Sequence, residues 1–103
     1  MTPPAVVRRD GEQLRVSGAL TLSTVAAALA QGNAAIAEGA RTVDLGEVGE
    51  LDSSALALLL AWLREAKRRD ATLAFTRLPE GLTAIARLYG VAELLPGASS
   101  SHH

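Results

Sequence analysis

Apolar and polar positions along this 103-residue chain fall into short blocks whose period changes several times. Ala5-Val6-Val7-Arg8-Arg9 and Gln13-Leu14-Arg15-Val16-Ser17 flank Asp10-Gly11-Glu12. Leu14 and Val16 alternate with Arg15 and Ser17, the period of a strand with one wet face. An Asp-Gly between two such runs predicts a hairpin, because the turn requires positive φ. Gly18 to Thr21 reads as a connector. Val25, Leu29 and Ile36, with Ala26, Ala30 and Ala37 around them, then keep helical spacing. Ser23 or Thr24 is placed to cap this helix and Gly39 to stop it, while Gly32-Asn33 weakens its middle. Arg41-Thr42-Val43-Asp44-Leu45 reads as a short strand, and Gly46-Glu47-Val48-Gly49-Glu50 as a loop.

The next block dominates the chain. Leu51-Asp52-Ser53-Ser54 forms a capped turn, and an apolar helix runs from there to Arg68 or Arg69. At about 100° per residue, Leu56, Leu59, Leu60 and Leu63 share one face. Leu58 and Trp62 fall well off that face. A helix covering a sheet needs only one apolar stripe, so the second stripe predicts an outward-facing partner surface. Asp70 ends the pattern, Thr72-Leu73-Ala74-Phe75-Thr76 alternates as a strand, and Leu78-Pro79-Glu80-Gly81 turns. Leu82, Ile85, Ala86 and Tyr89 give a third helix an apolar face. Gly90 ends that helix, Val91, Leu94 and Leu95 pin the segment after it, and Pro96-Gly97 close the domain. The predicted order is β-β-α-β-α-β-α, an α/β fold in which a small mixed sheet carries helices packed on it. Strands 42–45 and 72–76, joined through a helix, should be parallel with a right-handed crossover.

Length supports one domain, residues 5–96, with a loose end at Met1 to Pro4 and a disordered tail at 97–103. His102 and His103 come after three serines and read as the stub of a purification tag or as a frayed natural end. Apolar residues make up 49% of the chain, so collapse into a globule is expected. A net charge of −1 offers no electrostatic reason to bind nucleic acid. No apolar run approaches the roughly 20 residues that span a bilayer, and no signal peptide opens the chain. The absence of cysteine removes disulfides and thiolate chemistry, in keeping with the cytosol.

Enzymatic candidates are poor. No His, Cys or Lys stands near a carboxylate as a base–nucleophile pair. Asp52 is a weak base for Ser53 or Ser54 at an unperturbed pKa of about 3.9. Gly46-Glu47-Val48-Gly49 lacks the ending of a phosphate loop, and no metal-ligand spacing exists. No cofactor is implied. Asp52-Ser53-Ser54 has two compatible readings: a helix cap, and an exposed hydroxyl at a helix N-terminus where a phosphate or a partner's polar group binds readily. Phosphorylating Ser53 would add about −1.5 to −2 charge, favoured by the helix end and opposed by Asp52. Asp44 reads either as a solvated strand-end carboxylate or as part of a weak nucleotide site shared with Ser53. Arg64, Arg68 and Arg69 read as a solvated helix end able to frame an acidic partner.

Val43-Asp44-Leu45, a short loop, and Leu51-Asp52-Ser53-Ser54-Ala55-Leu56-Ala57-Leu58-Leu59 together resemble the signature of STAS domains. That family includes anti-sigma factor antagonists, cytoplasmic tails of sulfate transporters and MlaB. The resemblance spans roughly Val6 to Pro96, and the element order agrees with the STAS fold. Antagonists usually carry Gly where this chain has Ala55. The Leu56–Leu60 run and the ending Ala86-Arg87-Leu88-Tyr89-Gly90-Val91-Ala92-Glu93-Leu94-Leu95-Pro96 look more like MlaB. The MlaB resemblance implies a non-catalytic cytoplasmic subunit that binds an MlaF-like ATPase of an ABC transporter moving phospholipids between the membranes of Gram-negative bacteria. It would touch the inner membrane only through that complex. Ser53 aligns with a functionally important Thr of MlaB, keeping the hydroxyl and losing a methyl. Asp52, Ser53, Ser54, Leu58 and Trp62 are the partner-binding residues this reading expects, and the same helix surface is one through which isolated chains would pair. The alternative within the family is an anti-sigma factor antagonist, controlled by phosphorylation at Ser53.

Overall fold

A computed structural model describes residues 5–95. The expected loose N-terminus, the closing Pro96-Gly97, the tail 97–103 and the two histidines lie outside the described residues. β1 (Val6–Asp10) and β2 (Gln13–Leu20) form the predicted hairpin, with Val7 opposite Val16 and Asp10 opposite Gln13. Gly11 at the turn has φ +65°, the conformation that glycine adopts without penalty. α1 (Val25–Ala37) crosses over to β3 (Thr42–Leu51), which pairs parallel with β2. α2 (Ser53–Arg68) crosses over to β4 (Ala74–Thr76), parallel with β3. α3 (Glu80–Leu88) and a 3-10 turn (Ala92–Leu94) complete the elements of the described residues. The sheet order is β1-β2-β3-β4, so the α/β reading and the β-β-α-β-α-β-α order hold.

Several boundaries differ from the sequence reading, among them the start of α3 at Glu80, inside the expected turn. β2 continues through Gly18 to Leu20, and β3 continues through the expected loop to Leu51. The two extend each other: Ser17 pairs with Glu47, Gly18 with Val48 and Leu20 with Leu51, with register shifts that interrupt the period-2 pattern. That interruption, together with the glycines, makes a paired strand read as a loop. β4 is shorter than expected, covering Ala74–Thr76 only.

The sheet has two unlike faces. Leu14 opposes Val43, and Val43 opposes Phe75, giving an apolar row across three strands. All three are fully buried, together with Val16, Leu45, Ile36, Leu59 and Trp62. On the other face the matching row is Arg8, Arg15, Asp44 and Thr76. Burial of the apolar row and the side chains against it contributes roughly 1.5–3 kcal/mol per large side chain.

The seam between α1 and α2 overturns one expectation. Leu58 is 3% exposed and Trp62 is 0% exposed, so neither faces outward. The Trp62 indole lies against α1, and its Nε1–H donates to the Leu29 carbonyl oxygen at 3.3 Å. α1 offers small buried residues there, Ala28, Gly32 and Ala35. A Cβ built on Gly32 would stand 2.2 Å from the indole. Gly32 therefore makes room for Trp62. The helix-face count considers α2 against the sheet alone, whereas α1 covers its second stripe. Leu60 and Leu63 are the half-buried ones instead.

Candidate functional site

The start of α2 is a corner held from two sides. Asp52 is its N-cap, with extended backbone (φ −136°, ψ −170°). Its Oδ1 accepts from the Ser54 N–H at 2.8 Å, satisfying one free donor of the first turn. Its Oδ2 accepts from the Leu22 N–H at 3.2 Å, thirty residues away in the chain. The Asp52 N–H in turn donates to the Leu20 carbonyl oxygen at 3.2 Å. One residue thus ties the end of β2, the loop before α1 and the start of α2 together. The hydrogen bonds from the Ser54 backbone, and then from Leu22, hold the Asp52 carboxyl below its ordinary value against the opposing effect of desolvation.

The loop feeding α1 is similarly fixed. Thr24 Oγ1 accepts from the Thr21 N–H at 2.9 Å and donates to the Ala19 carbonyl oxygen at 2.8 Å. Thr24 does not cap α1 through its side chain; its hydroxyl braces the preceding turn. The turn lifts Leu22 into solvent, at 79% exposed. Beside it runs a shallow groove of about 500 Å³ between α1 and α2, lined by Leu22, Val25, Leu29, Ser54, Ala57 and Ala61. Leu58 forms part of its floor.

Asp52 and Ser53 are exposed and Ser54 is half-buried. Among the described residues the Ser53 hydroxyl has no hydrogen-bond partner. The structure thus brings Asp52, Ser53 and Ser54 together at an open corner. It keeps Leu58 only beneath the groove and removes Trp62 to the interior. Leu22 is an exposed apolar residue beside this corner that the sequence reading missed. It falls between the expected connector and the expected helix cap, and only the distant Asp52 contact shows it to be part of the corner.

Asp44 belongs elsewhere. It is buried on β3, where Arg77 grips it with a fork: Nε to Oδ1 at 2.9 Å and Nη2 to Oδ2 at 2.7 Å. The Gly46 N–H also donates to Oδ1 at 2.9 Å. The Arg77 hydrogen bonds dominate and hold the Asp44 carboxyl below its ordinary value, although burial opposes them. Asp44 and Leu51 stand well apart on β3, about 20 Å along an extended strand. Asp44 and Ser53 are therefore not brought side by side.

At the far end of α2, Glu65 accepts from Arg68 and Arg69, each at 2.7 Å. That leaves Arg64 beside the corner groove and Lys67 beside a second groove of about 530 Å³, lined by Leu60, Leu63, Leu73 and Leu94 among others. Among the described residues no group of His, Cys, Asp or Glu is arranged to hold a metal, and no helix is long and apolar enough to cross a membrane.

A family model described as "Mlab, STAS domain" matches residues 5–96. The chain belongs to the STAS-domain family. Two solved structures show the same STAS fold. One is the anti-sigma factor antagonist SpoIIAA in its unphosphorylated form, with a TM-score of 0.67 at 18% identity, covering 88% of this chain and 84% of that one. The other is the Bacillus cell fate determinant SpoIIAA in the phosphorylated form, with a TM-score of 0.63 at 18% identity, covering 88% and 87%. No curated protein matches the sequence. In this STAS domain the Asp-Ser-Ser corner caps α2 and leaves Asp52 and Ser53 exposed.

Proposed function

We propose that this STAS domain is a non-catalytic, MlaB-like accessory subunit on the cytoplasmic side of the inner membrane. In this reading it binds the ATPase subunit of an ABC transporter that moves phospholipids and so maintains outer-membrane lipid asymmetry. The observation that carries the reading is the exposed Ser53 hydroxyl on a corner that Asp52 locks from two sides. A surface held in place before binding loses little freedom on docking. Leu22 supplies an apolar anchor next to the hydroxyl, and the groove behind it receives a partner side chain. The match to a family model described as Mlab favours this role. The domain would act by holding the ATPase in its productive assembly and would convert no substrate itself.

The test is co-purification with an MlaF-like ATPase from the same organism, comparing wild type with Ser53→Asp and Leu22→Glu. Both variants should lose most of the complex while keeping the wild-type circular dichroism spectrum. Undiminished binding in both overturns the corner as the docking site.

A second reading rests on the two SpoIIAA neighbours, one of them a phosphorylated form. Here Ser53 would be phosphorylated and the domain would be an anti-sigma factor antagonist. The N-terminal end of α2 would stabilise the added charge. Incubation with a kinase-type anti-sigma factor and ATP, and then mass spectrometry, separates the readings. Stoichiometric phosphoserine at Ser53 supports the second and its absence the first.

A further inference from the structure

The sheet face away from the helices carries two like charges side by side. Arg8 and Arg15 lie directly opposite each other on β1 and β2. Facing side chains in such a pair have Cβ atoms about 4.5–5.5 Å apart, and like charges there repel. Arg15 makes one side-chain hydrogen bond, from Nε to Gln13 Oε1 at 3.3 Å. Arg8 has no side-chain partner among the described residues. The next carboxylate along the row, Asp44, is occupied by the Arg77 fork and acts on Arg15 only at a distance. Arg9 points to the helix side, where it is tied to Gly11 and Glu38. Arg8, Arg9, Asp10 and Arg15 together line a polar depression of about 330 Å³.

We infer that this depression is an anion site for a phosphate group, free or on a lipid head, gripped by Arg8 and Arg15. Two arginines lining one depression offer several N–H donors, and a guanidinium fork pairs with phosphate oxygens. A bound dianion would turn the repulsion between the two arginines into attraction. Asp10, which also lines the depression, opposes the anion. The site lies on the other sheet face from the α1–α2 groove, so the two are independent.

The test uses the full chain with two probes at low ionic strength: inorganic phosphate by titration calorimetry, and vesicles of phosphatidylglycerol in phosphatidylcholine by co-sedimentation. Arg15→Gln and Arg8→Gln should each weaken binding about tenfold or more, and Asp10→Asn should strengthen it. Both glutamine variants should melt no lower than wild type, because each relieves the repulsion. Binding of phosphate marks a soluble anion as a ligand, and binding of vesicles alone marks a lipid head; each supports the site provided that it tracks the variants. No binding of either probe, or binding indifferent to Arg8, Arg15 and Asp10, overturns it.

Discussion

The two flanks of α2 use similar residues for opposite ends. On the α1 side, leucine, tryptophan and alanine are sealed, with Trp62 fully buried and seated over Gly32. At the N-terminal corner, a leucine and a serine, Leu22 and Ser53, are left open, with Leu22 79% exposed. The difference lies in what the neighbouring element offers. α1 presents small side chains, so α2 closes onto it. The loop before α1 presents backbone N–H groups, so Asp52 binds it without covering it. Apolar excess on a helix therefore does not by itself identify a docking surface. A rigid and uncovered corner is better evidence.

Substitutions on the two flanks should accordingly separate stability from binding. The largest effect is expected for Trp62→Ala, which empties the seam and removes the indole's hydrogen bond to the Leu29 carbonyl; about 3–5 kcal/mol should be lost in denaturant titration. Next comes Gly32→Ala, where the added methyl meets a confined indole. Overpacking of this kind costs about 1–3 kcal/mol by the same measurement. A double variant, Gly32→Ala with Trp62→Leu, should lose less than the sum of the two single changes if they share one space.

Acid should loosen the corner and the Asp44 fork before the seam. The carboxyls of Asp44, Asp52 and Glu65 all lie below their ordinary values of 3.8, 3.8 and 4.5. Groups with lowered folded-state values contribute stability that is fully present above those ordinary values and is lost as pH falls through the lowered ones. Thermal unfolding should thus be nearly flat down to about pH 5 and decline below about pH 4. Asp52→Ala should lower the melting temperature by a few degrees and shrink that acid-side decline. The smallest expected effect on folding is that of Ser53→Ala, within about 0.5 kcal/mol. If its effect on partner capture is equally small, the hydroxyl is not what the partner reads.

Much of this was legible in the chain. The hairpin at Asp10-Gly11, the alternation around Leu14 and Val16, and the Asp52 cap are local signals, and each holds in the structure. The extension of β3 to Leu51 was hidden because its pairing shifts register and its side chains stop alternating. The fate of Trp62 was hidden for a different reason. A helical-wheel count assigns faces to one helix, whereas burial depends on which second helix arrives. Gly32 was the available sign, since a glycine amid alanines in a helix often marks a close approach. The fork between Arg77 and Asp44 joins residues thirty-three positions apart, a distance at which local pattern carries no information.

That fork has a consequence for anyone seeking to redesign the domain. Arg77 has φ +54°, a backbone geometry that glycine would adopt more cheaply. Replacing it with glycine relaxes the main chain and, in the same stroke, leaves the Asp44 carboxylate without its counterion. The conformational gain and the electrostatic loss oppose each other, so a survey of unfavourable torsions would pick out this position as an easy improvement and would be misled.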